Sequence, residues 1–363
     1  MPAVVSVSTE TPPFTITQKE TEHIVRELFR DSFPDIDRLM KIFDNGQIEQ
    51  RNFVVPKEWF QTNHPFQEKN NLYISESVRL GKKAITNCLT KDSHLSTPIR
   101  ENEIEAIFYV SSSGLATPTI ESRIMNELPF SQHTKRIPIW GLGCAGGAAG
   151  IGRAYEYCLA YPNAKVLVLC SELCSLTFQR NDIRKSNLIG SSLFADGVAC
   201  ALVVGNEVLE KEPLITSPVP YIKGTQSTLM PNSEDVMGWE VTNDGLRVIF
   251  SKDIPSIIKD WLKPNVEEFL IQHALTLTDI NYFVAHPGGK KVLEAYEESL
   301  GFSREMTSIP RNVLKKNGNM SSPTVLYVLK EFMDLHTEDY HKGILTALGP
   351  GFSSELILLE WGL

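Results

Sequence analysis

Three short stretches hold residues whose types and surroundings suit acyl transfer. The first runs from Ile137 to Gly150, with apolar residues ending at Trp140, Gly141 and Gly143 flanking a bend, Cys144 at the bend, and small residues opening a helix. Glycine permits backbone angles that a β-carbon forbids. Gly146 and Gly147 would let the helix start pack closely while leaving its amides open. Those amides carry partial positive charge, so the expectation is a Cys144 thiol with a lowered pKa, acting as a nucleophile. The second stretch is Tyr282-Phe-Val-Ala-His286-Pro-Gly-Gly289, in which His286, alone among eight histidines, closes a buried-type strand. The third is Asn317-Gly-Asn319-Met-Ser-Ser-Pro323, ahead of an apolar helical pattern at Val325, Leu326, Val328 and Leu329. Taken singly, these are a small buried cysteine, a satisfied core histidine and an asparagine near a helix N-cap. Taken together they are a nucleophile, a base and an oxyanion donor.

The elements that must position them follow from pattern. The apolar run Val166 to Cys170 predicts a parallel strand covered on both faces. Ile104 to Val110, with Ser111-Ser-Ser-Gly114 as its turn, and Phe194 to Val204 predict further strands, as does the short run Val4 to Val7. Thr17-Gln-Lys-Glu20 is a capping box opening a helix whose Ile24, Val25, Leu28 and Phe29 share one face. Asp37 to Asn45 is a second amphipathic pattern, and the helical pattern around Ser75 to Cys88 carries no catalytic signal. A weak internal repeat relates strand 104–110 to strand 280–285. It also relates Cys144, its helix and the strand from Val166 to Asn319, its helix and a strand from Ile344. The Pro-, Ser- and charge-rich stretch from Glu207 to Glu234 suggests the boundary between residues 1–206 and 207–363. Two copies of one α/β unit would bring Cys144, His286 and Asn319 to a shared site at strand carboxyl ends.

Composition sets the outer limits. At 363 residues and 42% hydrophobic the chain can bury a sizeable core, and a net charge of −9 with no basic block disfavours nucleic acid as a partner. No apolar run has the length of a membrane span and no signal-peptide pattern opens the chain, so the expected location is cytoplasmic. Six cysteines without a Cys-x-x-Cys pair fit reduced thiols and no metal site.

The chain resembles the type III polyketide synthases, the family of chalcone and stilbene synthases, almost from end to end. The resemblance rests on Gly143-Cys144-Ala-Gly-Gly, Cys170-Ser-Glu172, Leu193-Phe194-Ala-Asp196-Gly197, His286-Pro-Gly-Gly, Gly318-Asn319-Met-Ser-Ser and Gly349-Pro-Gly-Phe352. Within the family the chain is similar to the bacterial branch that extends fatty acyl thioesters to alkylpyrones. The resemblance implies a thiolase-like αβαβα duplicated fold, two related halves with central mixed sheets, and a homodimer. It implies that Cys144 loads an acyl-CoA starter and that malonyl-CoA extends it by decarboxylative condensation, with no cofactor and no metal. It assigns Phe194 as an aromatic gatekeeper and Ser112, Thr117, Glu172, Cys174, Thr177, Val248 and Ser321 to the cavity. Arg38 and Lys41 match basic positions at the coenzyme A tunnel mouth, where Asn45 replaces a third. Thr117 stands where plant enzymes carry a methionine reaching across the dimer, Cys174 where they often carry threonine, and Val248 where phenylalanine is common. Smaller side chains there imply more room and an aliphatic starter.

Competing readings are a β-ketoacyl-carrier-protein synthase III, a hydroxymethylglutaryl-CoA synthase and a non-catalytic acyl-binding member of the fold. The Pro-Gly-Gly after His286 and the Met-Ser-Ser after Asn319 stand against the first. No motif supplies the glutamate base the second requires, and retention of all three polar residues opposes the third.

Overall fold

The computed structural model describes residues 1–251, 253–335 and 340–363. From the N-terminus, β1 (Ala3–Glu10) leads into β2 (Phe14–Thr17), α1 (Gln18–Phe29), α2 (Ile36–Asn45) and β3 (Gln50–Phe53). The long α3 (Phe66–Thr90) precedes β4 (Ala106–Ser111), α4 (Ile120–Met125) and β5 (Lys135–Trp140). Then come α5 (Gly146–Ala160), β6 (Lys165–Leu173), α6 (Lys185–Leu193) and β7 (Asp196–Val204). After α7 (Asn206–Lys211) and β8 (Val219–Leu229), a hairpin forms from β9 (Met237–Thr242) and β10 (Gly245–Phe250). The chain continues through α8 (Ile254–Ile257), α9 (Lys263–Gln272), β11 (Tyr282–Ala285), α10 (Lys290–Leu300) and α11 (Ser308–Asn317). It closes with α12 (Thr324–Asp334), β12 (Lys342–Gly349) and β13 (Ser353–Gly362).

Nine strands form one mixed sheet in the order β11-β12-β13-β8-β1-β7-β6-β4-β5. Its two parts repeat one pattern: β1, β7, β6 and β4 pair antiparallel, antiparallel, parallel, and so do β8, β13, β12 and β11. Between the parts only Ala3 and Tyr221 are in register. Helices α5 and α12 touch each other and strands from both parts, so they form the central layer of an αβαβα arrangement. The outer layers are α3 against the first part and α9 with α10 beside the second. Strands β6 and β7 are buried along their whole length, as continuous apolar runs covered on both faces require.

The central layer depends on small residues. A β-carbon on Gly147 of α5 would lie 2.2 Å from the Ser322 carbonyl oxygen, and one on Gly146 would lie 2.6 Å from Val110 Cγ1. The Thr17 capping box is present, with the Glu20 N–H donating to Thr17 Oγ1 and the Thr17 N–H donating to the Glu20 carboxylate. Strand β1 is longer than its apolar run predicts, and the strand expected from Phe194 begins at Asp196. The 207–234 stretch contains β8, whose ladder with β13 lies inside the sheet. All six cysteines are free and buried. No helix among the described residues is long and apolar enough to cross a membrane.

Candidate active site

The three chemical residues converge on the ends of the two structural repeats. Cys144 lies in a single 3-10 turn between β5 and α5, with Gly141 at φ +92° and Gly143 at φ +47°. These are left-handed backbone conformations that glycine adopts without steric cost. The Gly143 N–H donates to Ser112 Oγ at 3.0 Å, which ties the turn to the end of β4. His286 follows β11 directly, and its N–H donates to Thr346 O of β12 at 2.8 Å, carrying the parallel ladder one residue beyond the strand. Asn319 lies between α11 and α12, where Gly318 at φ +72° turns the chain. The Asn319 N–H donates to Leu193 O and its carbonyl accepts from the Ala195 N–H, so Asn319 and Phe194 hold each other in place.

The Asn319 side chain is oriented by two backbone groups. Its Oδ1 accepts from the Ser321 N–H at 2.8 Å and its Nδ2 donates to Gly288 O at 3.1 Å. Cys144 Sγ lies 3.9 Å from Oδ1 and 4.0 Å from Nδ2. Ser321 itself has φ +60°, a strained conformation for a non-glycine residue, held beside the thiol. Both ring nitrogens of His286 are buried without a hydrogen-bond partner among the described residues.

Burial works against one expectation. It pushes the Cys144 thiol up to about 11, outweighing hydrogen bonds from Ser321 and Asn319, and pushes the His286 imidazole down to about 3. Desolvation disfavours both charged forms and opposes the thiolate that the open amides of α5 favour. Glu172, at the end of β6, accepts from the Ser112 N–H at 3.0 and 3.1 Å and from Ser322 Oγ at 3.0 Å, while burial raises it to about 7.

Three adjoining cavities surround the site. The first, about 10 Å³, is lined by Cys144, His286, Asn319, Gly288 and Tyr296 with apolar walls, and has room for about one water. A second, lined by Cys144, Phe194, Trp239, Val248, Phe250 and Ser321, adjoins it. The third, about 60 Å³, is apolar and extends past Phe194, Trp239 and Val248 to Cys174, Thr177, Phe178, Ile24 and Phe53. Phe194 thus stands in a wall between two cavities, with the Trp239 ring 6.3 Å from its own. Its carbonyl accepts from the buried guanidinium of Arg51 at 2.7 Å.

Four of the cavity assignments therefore lie on cavity walls beside Phe194: Cys174, Thr177, Val248 and Ser321. Three do not. Thr117 is exposed in the loop after β4. Ser112 and Glu172 lie beneath the nucleophile turn, where their hydrogen bonds brace it. Arg38 and Lys41 are exposed on α2, as is Asn45, and line none of the cavities described above. Trp239 stands opposite Val248 in the β9–β10 hairpin and lines the same two cavities. Sequence pattern missed Trp239, Tyr296 and Arg51. Only the rarity of a buried arginine or an interior tyrosine marks the last two, and that requires the fold.

Comparison with known proteins places this geometry. Family models described as the N-terminal and C-terminal domains of chalcone and stilbene synthases match residues 2–208 and 222–361. A Bacillus subtilis (strain 168) protein whose chalcone synthase name is itself provisional is 51% identical over 362 residues, covering 99% of each chain. The 1,3,6,8-tetrahydroxynaphthalene synthase of Streptomyces peucetius subsp. caesius is 30% identical, covering 99% of this chain and 93% of its own. The alpha-pyrone synthesis polyketide synthase-like Pks18 of Mycobacterium tuberculosis is 28% identical, covering 98% and 90%. The crystal structure of the Streptomyces coelicolor tetrahydroxynaphthalene synthase, a bacterial type III polyketide synthase, superposes with a TM-score of 0.90 at 28% identity over 99% of both chains.

Proposed function

From the premise that this chain belongs to the chalcone and stilbene synthase family, the acyltransferase-type type III polyketide synthases, we propose that it extends a fatty acyl-CoA starter with malonyl-CoA to an alkylpyrone. The observation that carries this reading is that the Cys144–His286–Asn319 chamber adjoins, through shared walls, an apolar cavity beyond Phe194. Cys144 attacks the starter thioester, His286 takes the thiol proton as the carbon–sulfur bond forms, and coenzyme A leaves as a thiol. Malonyl-CoA then loses carbon dioxide, and its enolate oxygen is held by donors from His286 and the Asn319 amide. The enolate carbon attacks the Cys144 thioester, and the lengthened chain returns to the sulfur for another round. Thiol, imidazole and amide groups carry every step, so the cycle calls on no metal and no redox cofactor.

The starter preference is supported by the walls of the large cavity, where Ile24, Val25, Phe53 and Phe178 offer apolar surface to a flexible chain. Arg38 and Lys41 serve the coenzyme A phosphates from the exposed face of α2, which packs on α1 and α6, both of which line that cavity. We read the working form as a cytoplasmic homodimer. Trp140, half exposed at the end of the edge strand β5, and the exposed Leu115 offer apolar surface for the partner. Incubation with malonyl-CoA and a panel of acyl-CoAs, followed by mass spectrometry, tests the reading. Pyrones bearing the starter's alkyl chain are expected, with acylation on Cys144; a label on Cys170 or Cys174 instead, or no extension of any starter, refutes it.

A further inference from the structure

The smallest cavity holds a polar group that the cycle above leaves unused. Tyr296, on α10, is fully buried, with its ring edge-on to Phe283 at 5.4 Å between centroids. Its hydroxyl has no hydrogen-bond partner among the described residues. An unpaired phenol in the interior costs stability, and such a group persists where it serves a function. Tyr296 lines the 10 Å³ chamber together with Cys144, His286 and Asn319, while Phe250, Val292 and other apolar side chains form the rest of the wall. Both His286 ring nitrogens are likewise unpartnered among the described residues, and the Asn319 amide donates to Gly288 O at 3.1 Å with Cys144 Sγ 4.0 Å away. Two polar side chains with unspent hydrogen-bonding capacity, Tyr296 and His286, thus line a space of about one oxygen atom beside the Asn319 amide.

We propose that the Tyr296 hydroxyl is a third hydrogen-bond donor to the thioester oxygen of malonyl-CoA, acting with His286 and Asn319 as that oxygen gains charge. This rests on the polyketide synthase reading above. In decarboxylation the bond between the methylene carbon and the carboxylate breaks and carbon dioxide leaves. The electron pair forms the enolate double bond, and the negative charge settles on the thioester oxygen. Tyr296 donates to that oxygen and keeps its own proton, which burial and the nearby Cys144 sulfur hold well above the ordinary phenol range. When the enolate carbon attacks the acyl thioester, the charge leaves the oxygen and the hydrogen bond weakens. Tyr296 is thereby a transition-state donor and not an acid.

Tyr296→Phe keeps the ring against Phe283 and deletes only the oxygen. Three measurements on the full-length protein separate the roles: carbon dioxide release from malonyl-CoA without starter, Cys144 acylation by an acyl-CoA followed by intact mass, and thermal melting. The expected result is a kcat for decarboxylation lower by about 100-fold with KM little changed, as for loss of one oxyanion donor. Acylation should hold its wild-type rate, and the melting temperature should be unchanged or higher. Wild-type decarboxylation in the variant overturns the proposal. A parallel loss of acylation and melting temperature overturns it too, by showing a structural role. If the wild type releases no carbon dioxide, the polyketide synthase reading falls and takes this inference with it.

Discussion

At the scale of residues, the site trades charge for burial. Cys144 and His286 are both almost wholly removed from water, so desolvation raises the thiol and lowers the imidazole. A thiol reacts with iodoacetamide as the thiolate, so a raised pKa moves the alkylation profile to higher pH. Alkylation of Cys144 in the free enzyme should therefore rise with pH through a midpoint above the unperturbed thiol value of ~8.5. A midpoint near 6 would show that a cysteine–histidine ion pair already exists at rest. The identities of the three chemical residues were legible in sequence because Cys144 and His286 follow apolar strands beside glycine or proline, and Asn319 follows Gly318 ahead of an apolar helical pattern. Their protonation was not, because a pKa depends on everything packed around the group, and the helix-start argument counted only the amides. Ser112 and Glu172 show the same limit. Their positions follow from motif, whereas their work as braces under the turn depends on hydrogen bonds between β4, β6 and the turn before α5.

At the scale of elements, the duplication was legible because each repeat writes its own apolar strand, turn and helix. The β9–β10 hairpin was not: it lies outside the repeat, its residues alternate only weakly, and Trp239 gains its meaning from the cavity wall it fills. Contact between α5 and α12 is the other feature that sequence only hinted at, through Gly146 and Gly147. Because a β-carbon at 147 would press on the backbone oxygen of Ser322, next to Ser321 and two residues past Met320, the pair of helices must separate to admit it. Gly147→Ala should then lower stability by about 2 kcal/mol, in the range of core overpacking. The same substitution at Gly152, five residues on in α5, meets only Thr225 at ordinary contact distance, 3.7 Å. There alanine should be neutral or stabilising by up to ~1 kcal/mol through helix propensity. Urea melts of the two variants against wild type check the contrast, and equal effects would show that the close helix contact does not limit packing.

At the scale of the whole molecule, the two halves of the sheet fold around a shared helix pair. The seam between them carries the nucleophile on one side and the histidine and asparagine on the other. The cavities follow that seam outward, from the polar chamber past Phe194 and Trp239 into an apolar space walled by α1, α6 and the β9–β10 hairpin. On the proposed cycle such an order would separate two tasks, with charge developing in the first chamber and chain length sensed in the last. On the fatty acyl reading, each methylene that finds room in the apolar space contributes ~0.8 kcal/mol of transfer free energy. Cys174→Phe places a ring in that space, and displacing two or three methylenes should lower kcat/KM for the longest accepted starter by about 30-fold, from roughly 2 kcal/mol of lost burial. Short starters and malonyl-CoA decarboxylation should be unaffected, because the polar chamber is untouched. Trp239→Ala works in the opposite sense, removing the wall beside Phe194 and shifting the preferred acyl length upward. Competition assays with an acyl-CoA ladder read both shifts in one experiment. If the two variants kept the wild-type chain-length profile, the apolar cavity would not hold the starter, and Cys144 would have to pass its acyl chain elsewhere along the seam.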